Sequence, residues 1–201
     1  MIMAFDGSSI DGSAYLDVVR LARHAPGWLD GAVSLWSTYG LTVFAVLAGV
    51  GWWFARRAGG EAAVTALAIP VVVVVAYGVD AVVKLLVRED RPCQSLRVRT
   101  LEACPAPGDW SFPSNHAAIA TAAAVALFFV SRRLGAGAAV VALAMAVSRV
   151  WVGAHYPHDV VAGVVVGGLV ALLSMTAVRR WSRPVGRWIA SSRMHPLVTP
   201  P

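Results

Sequence analysis

Long apolar runs without charge constrain the fold of this chain more than any other feature of its sequence. The first run extends from Gly31 to Ala55, and four further runs follow it. A membrane-spanning helix needs roughly 20 apolar residues. The composition, 58% hydrophobic and 14% charged, leaves too little polar surface for a soluble protein. The sequence therefore predicts one all-α membrane domain over residues 1–201, a polytopic bundle of five transmembrane helices.

Polar residues set the bounds of the five predicted spans. Arginine pairs follow the first, third and fifth spans, and tryptophans lie near several span ends, as is usual at membrane interfaces. Gly163 and Gly167 in the last span favour close packing of helices. The predicted spans cover residues 31–55, 62–87, 114–131, 134–151 and 158–178.

The two ends of the chain are too polar to cross a membrane. Residues 13–24 alternate apolar and charged side chains at helical spacing, which predicts an interfacial helix within residues 1–30. A frayed terminus is the alternative. Residues 179–201 are predicted to form a basic cytoplasmic tail.

The distribution of arginines predicts the orientation of the chain. Most of them lie on one side of the five-span topology, where Glu61 is the only acid. Because cytoplasmic loops carry such an excess, we expect the C-terminus in the cytoplasm and the N-terminus and loop 88–113 outside the inner membrane of a bacterial cell. Topology thus explains the net charge of +6. No nucleic acid is expected as a partner, because no basic face remains once the helices are buried.

Both cysteines, Cys93 and Cys104, lie in this outer loop. An oxidising compartment permits disulfides, so the predicted orientation favours a Cys93–Cys104 pair. Two free thiols are the alternative.

Cations cluster where the second span ends. Lys84, Arg88 and Arg91 lie on nearly the same helix face, and Pro92 ends the helix. Lys84 is the only lysine in the sequence. We expect these cations to bind an anion. The alternative is that their side chains extend along the helix to reach water.

The third span begins with Ser114, Asn115 and His116. Serine is a good N-cap, and the free N–H groups of a helix N-terminus bind anions. The alternative is that Ser114 only caps the helix while His116 bonds a loop carbonyl.

Arg149, His155 and Asp159 lie where the fourth span ends and the fifth begins. His155 and Asp159 are close enough in sequence for a carboxylate–imidazole hydrogen bond, which makes the other ring nitrogen more basic. This arrangement is typical of a nucleophilic histidine. His158 faces elsewhere and is interpreted as an interfacial residue without a catalytic role. A pair of helix-end histidines without function is the alternative.

Together these segments suit a phosphate ester or anhydride, because they bring cations, a helix N-terminus and two histidines to one membrane level. One histidine can attack phosphorus while the other protonates the leaving oxygen. No carboxylate cluster suits a metal ion, and side chains supply the charges needed. Neither a metal nor any other cofactor is therefore expected.

The same segments resemble the signature of the type 2 phosphatidic acid phosphatase superfamily. The family pattern is Lys-x6-Arg-Pro, then Pro-Ser-x-His, then Ser-Arg-x5-His-x3-Asp, and residues 84–92, 113–116 and 148–159 match it in order. The resemblance implies phosphatase activity without a metal. It implies that the phosphate is bound by Lys84, Arg91, Ser114, Asn115, the His116 amide and Arg149.

The resemblance also implies catalytic roles for three residues. His155 would be the nucleophile and form a phosphohistidine, and Asp159 would orient it. His116 would be the general acid and would then activate water in the second step.

Asn115 departs from the glycine that is usual in the middle motif, although its N–H is retained. Asparagine there resembles the bacterial undecaprenyl-pyrophosphate phosphatases. This implies a substrate lipid in the outer leaflet, surrounded by membrane lipids. Alternatives are a phosphatase of phosphatidylglycerophosphate, phosphatidic acid or a prenyl sugar phosphate, and a non-catalytic lipid-binding or transport protein. The sequence leaves open the oligomeric state, the prenyl chain length and the role of the C-terminal arginines.

Overall fold

The computed structural model describes residues 5–199, which form a bundle of helices with one long loop before its central helix. Within this range the one extended pairing is a single-residue bridge between Phe5 and Glu89, so the predicted all-α class is confirmed. The helices are α1 (Ser8–Arg23), α2 (Gly27–Tyr39), α3 (Leu41–Ala58), α4 (Gly60–Val87), α5 (Pro92–Ser95), α6 (Asn115–Val130), α7 (Arg132–Trp151), α8 (Pro157–Ala190) and a 3₁₀-helix (His195–Leu197).

α6 is the central helix and packs against α3, α4, α7 and α8. It is rich in buried alanines, whose small side chains let neighbouring helices approach closely. A Cβ added at Gly167 of α8 would lie 2.2 Å from the backbone oxygen of Ala118, and one at Gly163 would lie 2.5 Å from that of Ser114. The close packing predicted for this glycine pair is therefore present. It holds the N-terminal ends of α6 and α8 together.

The first predicted span is bent rather than straight. Gly40 separates α2 from α3, whose axes differ by 54°. A Cβ at Gly40 would lie 2.5 Å from the Trp36 backbone oxygen and 2.7 Å from the Met145 side chain of α7. Glycine is favoured at this bend, because a Cβ would collide with the Trp36 backbone oxygen of α2.

The count of five spans is not confirmed. In the described part of the chain three helices, α4, α7 and α8, are long and apolar enough to cross a membrane, and the bent α2–α3 pair makes a fourth if it acts as one span. α6 has 16 residues, fewer than the roughly 20 needed for a full crossing. The chain is a multi-pass membrane protein, and the fifth span stays a prediction.

The N-terminal helix begins earlier than predicted and is firmly attached. α1 starts at Ser8 and packs on α7 and α8. Tyr15 is fully buried, and its hydroxyl donates to the Gly153 carbonyl at 2.9 Å. The alternative of a frayed terminus is therefore wrong for this segment.

The C-terminal segment is also more ordered than the predicted tail. α8 continues from the predicted end at Val178 to Ala190. The Arg183 guanidinium in this extension donates to the Glu61 carboxylate at 2.8 Å. The first part of the predicted basic tail is therefore helical.

Candidate active site

Segments that are distant in sequence meet at one end of the bundle. The end of α4, the loop between α5 and α6, the start of α6, the end of α7 and the α7–α8 loop all contribute. The Ser114 N–H donates to the Asp159 carbonyl at 3.0 Å and so joins α6 to α8. Hydrogen bonds and ion pairs link most of the predicted site residues here, namely Lys84, Arg91, Ser114, His155 and Asp159.

His155 lies in the α7–α8 loop and is 2% exposed. Its Nδ1 is 3.4 Å from Asp159 Oδ2 and 3.4 Å from Ser111 Oγ. The Asp159 carboxylate is itself held by the Ser111 hydroxyl at 2.5 Å and the Tyr156 N–H at 2.9 Å. The carboxylate therefore faces Nδ1 and leaves Nε2 as the nitrogen available to a substrate.

The environment of His155 keeps its ring neutral. Burial lowers the pKa of His155 to about 3, against the opposing effect of Asp159, and the charges of Arg91 and Lys84 lower it further. A neutral ring is what a nucleophile requires, because a protonated nitrogen has no lone pair to donate.

Arg91 is placed to bind an anion in front of His155. Its Nη1 lies 3.4 Å from His155 Nε2 and donates to the Ala154 carbonyl at 3.1 Å. Its Nε and Nη2 donate to the carbonyl and carboxylate of Asp109, at 2.9 and 2.8 Å. The Arg91 side chain is 10% exposed. It is thus fixed next to His155 Nε2 and is paired with a loop acid.

Lys84 reaches the same region from α4. Its Nζ donates to the carbonyls of Trp110 and Ser111 at 2.9 and 3.1 Å. Arg88, which was predicted to lie on the same face as Lys84 and Arg91, does not join these two residues at the site. It ends α4 in the left-handed conformation with φ 53°, and its Nε donates back to Leu85.

Arg149 is buried at the end of α7 and is held by Glu102. Its Nη1 and Nη2 donate to the two carboxylate oxygens at 2.8 and 3.1 Å, and Nη1 also bonds the Ser37 hydroxyl. Ser37 in turn donates to Glu102 at 2.7 Å. Burial disfavours the charged form of Glu102, but the Arg149 guanidinium outweighs it and holds the pKa of this carboxyl below its usual range.

The N-terminus of α6 presents polar groups that have no protein partner. Ser114 is the N-cap residue of α6, as predicted, but its side chain makes no capping hydrogen bond. Its buried Oγ lacks a hydrogen-bond partner among residues 5–199, and so does Asn115 Oδ1. Buried polar atoms without a partner cost free energy, so a ligand with acceptor oxygens would satisfy Ser114 and the free N–H groups of the first turn. His116 lies half-buried in the same turn.

The sequence model of the PAP2 superfamily matches residues 64–183, which is more than half of the chain and includes all three signature segments. The chain belongs to the PAP2 superfamily.

Two curated relatives illustrate the range of PAP2 proteins that this chain is similar to. The undecaprenyl-diphosphatase BcrC of Bacillus subtilis is 36% identical over 95 residues, which are 47% of this chain and 48% of that protein. The decaprenylphosphoryl-5-phosphoribose phosphatase of Mycobacterium tuberculosis is 37% identical over 100 residues, 49% and 53% of the two chains. The chain thus spans about half the length of the curated relatives it matches.

A solved PAP2 structure shares the fold. It is the crystal structure of a transmembrane PAP2-type phosphatidylglycerolphosphate phosphatase from Bacillus subtilis. The TM-score is 0.63 over 87% of both chains, at 19% sequence identity.

Sequence reasoning missed four residues that contact the PAP2 signature residues. One of them, Ser111, precedes the middle motif closely enough that its proximity to the site could have been inferred. The other three are paired with residues that are distant in the sequence. For the two acids among them, the one available indication was their position in the arginine-rich loop 88–113. The missed residues are Ser37, Glu102, Asp109 and Ser111.

His158 is not the interfacial bystander that the sequence suggested. Its Nδ1 lies 2.8 Å from an Asp11 carboxylate oxygen, and its Nε2 lies 3.0 Å from Glu89 and 3.5 Å from Asp159. Glu89, His158 and Asp159 offer ligand atoms within 4.8 Å of one another. A ring with carboxylates at both nitrogens fits an imidazolium, which has no lone pair for a metal. The cluster therefore fits an ion-pair network that joins α1 and the outer loop to α8.

The Cys93 and Cys104 sulfurs form a disulfide. Cys93 is in α5, directly after the Arg91-Pro92 pair, and Cys104 follows Glu102 by two residues. The bond therefore ties the segment that carries Glu102 to the segment that carries Arg91.

Proposed function

We propose that this protein is an integral membrane lipid phosphatase that removes the terminal phosphate of undecaprenyl pyrophosphate, or a related polyprenyl pyrophosphate, through a phosphohistidine intermediate. One observation carries the proposal. The neutral, buried ring of His155 is held by Asp159 at Nδ1 and faces the Arg91 guanidinium with Nε2.

In the first step His155 Nε2 attacks the terminal phosphorus atom. The bond from phosphorus to the bridging oxygen breaks, and its electron pair moves to that oxygen. This oxygen takes a proton from His116, which the proposal requires to be protonated next to the bound, anionic pyrophosphate. Polyprenyl phosphate leaves. Arg91, Lys84 and the Ser114 hydroxyl would stabilise the charge on the oxygens of the transferring phosphoryl group.

In the second step water attacks the phosphohistidine. His116, now neutral, takes a proton from the water, and the bond between phosphorus and Nε2 breaks with its electron pair returning to the ring. Inorganic phosphate leaves and His155 is regenerated. Side chains supply every charge and proton that these two steps use.

The prenyl substrate is supported by similarity and by one residue. The BcrC relative is named an undecaprenyl-diphosphatase, and Asn115 replaces the glycine usual in the family. The mycobacterial relative, named for a prenyl sugar phosphate, supports that class as the second candidate.

We infer an extracytoplasmic site that draws its substrate from the outer leaflet. Arginines gather at the opposite end of the bundle, where Arg56 and Arg57 lie over the Trp53 ring at 4.1 and 4.7 Å. Such an excess of arginine marks the cytoplasmic side. The disulfide at the site end supports the same orientation.

The test is a substrate panel with purified protein in detergent and excess chelator. Undecaprenyl pyrophosphate, a prenyl sugar phosphate, phosphatidylglycerophosphate and phosphatidic acid are compared by kcat/KM. We expect phosphate release to be fastest from undecaprenyl pyrophosphate. Turnover that needs an added divalent metal would contradict the mechanism, and preference for another substrate would contradict the assignment.

His155→Ala separates an enzyme from a lipid-binding protein. We expect this variant to lose turnover while still binding the lipid phosphate. His24→Ala, which removes an exposed histidine at the same end of the molecule, is the control and should keep full activity. Retained turnover in His155→Ala would rule out the proposed nucleophile.

A further inference from the structure

An apolar groove lies between α2 and α7, on the outside of the bundle. Its volume is about 480 Å³, within the range of about 300–1,000 Å³ that is usual for ligand sites. Val33 and Trp36 form the α2 wall, and Leu143, Val147 and Trp151 form much of the α7 wall. The groove exists because the bend at Gly40 directs α2 away from the line of α3.

The groove shares a wall with the candidate active site. Trp36 lines the groove, and the next residue, Ser37, turns inward. Ser148 also lines the groove, and the next residue, Arg149, turns inward. Ser37 and Arg149 are hydrogen-bonded to each other behind this wall. A lipid whose phosphate is bound at Arg149 would therefore have its tail next to the groove.

The groove is bridged at the end nearest the site and open along its side. Trp151 Nε1 donates to the Asp30 carboxylate at 3.1 Å and bridges α7 to α2 at the end nearest the site. Farther from the site, Val147 and Leu143 are 55% and 65% exposed, on the outside of an apolar helix that would be surrounded by lipid. An occupant would therefore enter sideways from the membrane and would be apolar.

The lining also limits which lipid can occupy the groove. The one hydroxyl in it, of Ser148, already donates to the Met145 carbonyl at 2.7 Å. A glycerolipid carries two ester carbonyls close to its phosphate, whereas the one unpaired donor of the lining among residues 5–199 is the indole N–H of Trp36. At least one ester carbonyl would therefore be buried without a hydrogen bond. A prenyl chain carries no polar atom beyond the oxygen that joins it to the phosphate. The groove is therefore compatible with a prenyl chain and disfavours a glycerolipid.

We propose that this groove binds the phosphate-proximal part of the substrate's prenyl tail and selects prenyl phosphates over glycerolipid phosphates. The proposal rests on the proposed function, because it places the phosphate of the same lipid at His155 and Arg149.

Val147→Trp tests the proposal by filling the groove. The matched control is Val165→Trp on α8, which makes the same change at a position of similar exposure, 51%, outside the groove. Each variant is assayed with undecaprenyl pyrophosphate and with isopentenyl pyrophosphate, whose tail is too short to follow the groove. Melting curves in the same detergent check that each variant is folded.

We expect Val147→Trp to raise the KM for undecaprenyl pyrophosphate about tenfold, as overfilling a packed site does. Turnover of isopentenyl pyrophosphate by this variant should stay within about twofold of wild type. Val165→Trp should change neither the KM for undecaprenyl pyrophosphate nor the turnover of isopentenyl pyrophosphate. An equal loss with both substrates, or no loss with either, would overturn the proposal.

Dioctanoyl phosphatidic acid distinguishes failure of the groove from failure of the proposed function. If the wild type prefers this glycerolipid to the prenyl pyrophosphate, the proposed function fails and the selectivity of the groove fails with it. If the wild type prefers the prenyl pyrophosphate but Val147→Trp leaves its KM unchanged, only the groove is overturned.

Discussion

Glu102 binds the Arg149 guanidinium through both of its carboxylate oxygens, at 2.8 and 3.1 Å. Arg149 is one of the cations that the PAP2 signature assigns to phosphate. If Arg149 binds phosphate as proposed, the Glu102 carboxylate occupies the position of a substrate oxygen, and the phosphate would have to displace it. Asp109 holds Arg91 in a similar way from the same outer loop. Acids of loop 88–113 thus neutralise both guanidinium groups.

Glu102→Gln should strengthen phosphate binding, because displacing the carboxylate breaks charge-assisted hydrogen bonds worth about 1.5–3 kcal/mol. We expect inhibition by orthovanadate, a phosphate analogue, to become about tenfold stronger, with little change in kcat. Glu61→Gln makes the identical change in an exposed pair with Arg183 at the other end of the bundle, and it should have no effect. Unchanged vanadate inhibition in a folded Glu102→Gln protein would show that the carboxylate does not compete with phosphate.

Ser111→Ala should slow catalysis without weakening substrate binding. The Ser111 hydroxyl holds the Asp159 carboxylate at 2.5 Å, and losing a hydrogen bond to a charged group costs about 1.5–3 kcal/mol. We therefore expect kcat to fall about tenfold at constant KM, and Ser111→Thr to restore much of it by returning the hydroxyl. Ser182→Ala removes a buried hydroxyl that bonds only within α8, and it should keep full activity. A change confined to KM would assign Ser111 to substrate binding instead.

The depressed pKa of His155 predicts a loss of stability in acid. Burial lowers this pKa from 6.5 to about 3, so between these values the unfolded chain binds a proton that the folded protein does not. Stability should therefore decrease as pH falls below 6.5, by up to about 1.4 kcal/mol per pH unit from this group.

His155→Gln should remove that contribution. The measurement is the melting temperature in detergent at pH 7 and at pH 5. Between these two values the melting temperature of the wild type should fall by more than that of the variant. His24→Gln at an exposed position should follow the wild type. Parallel curves for the wild type and His155→Gln would mean that the ring is not held neutral by the fold.

Much of the fold could be predicted because hydropathy and motif spacing are local properties. The predicted spans 62–87, 114–131 and 134–151 agree with α4, α6 and α7 to within two residues. The bend at Gly40 could not be predicted in this way, since the apolar run continues through it and the close packing around Gly40 exists only in the folded chain. The extension of α8 to Ala190 was not predicted, because arginines and Pro184 follow the apolar run and are typical of a chain that leaves the membrane.

In the site, too, contacts between residues close in sequence could be predicted, and contacts between distant segments could not. His155 and Asp159 are four residues apart, so their meeting follows from helix geometry. Glu102 meets Arg149 and Ser37 only because of the path of a long loop and the approach of α2 to α7, which spacing does not reveal. His158 was misjudged for the same reason, because its partners Asp11 and Glu89 come from other segments.

The disulfide allows the orientation of the whole chain to be measured. If Cys93 and Cys104 lie outside the membrane and are paired, a membrane-impermeant maleimide should label intact cells only after a reducing agent is added. A Cys93→Ser/Cys104→Ser protein should not be labelled, and it should also melt lower, because closing a loop of this size contributes up to about 3 kcal/mol. Ser192→Cys in that double variant places a thiol beyond α8, and it should react only after the cells are permeabilised. Labelling of this thiol in intact cells would reverse the topology and place the active site in the cytoplasm.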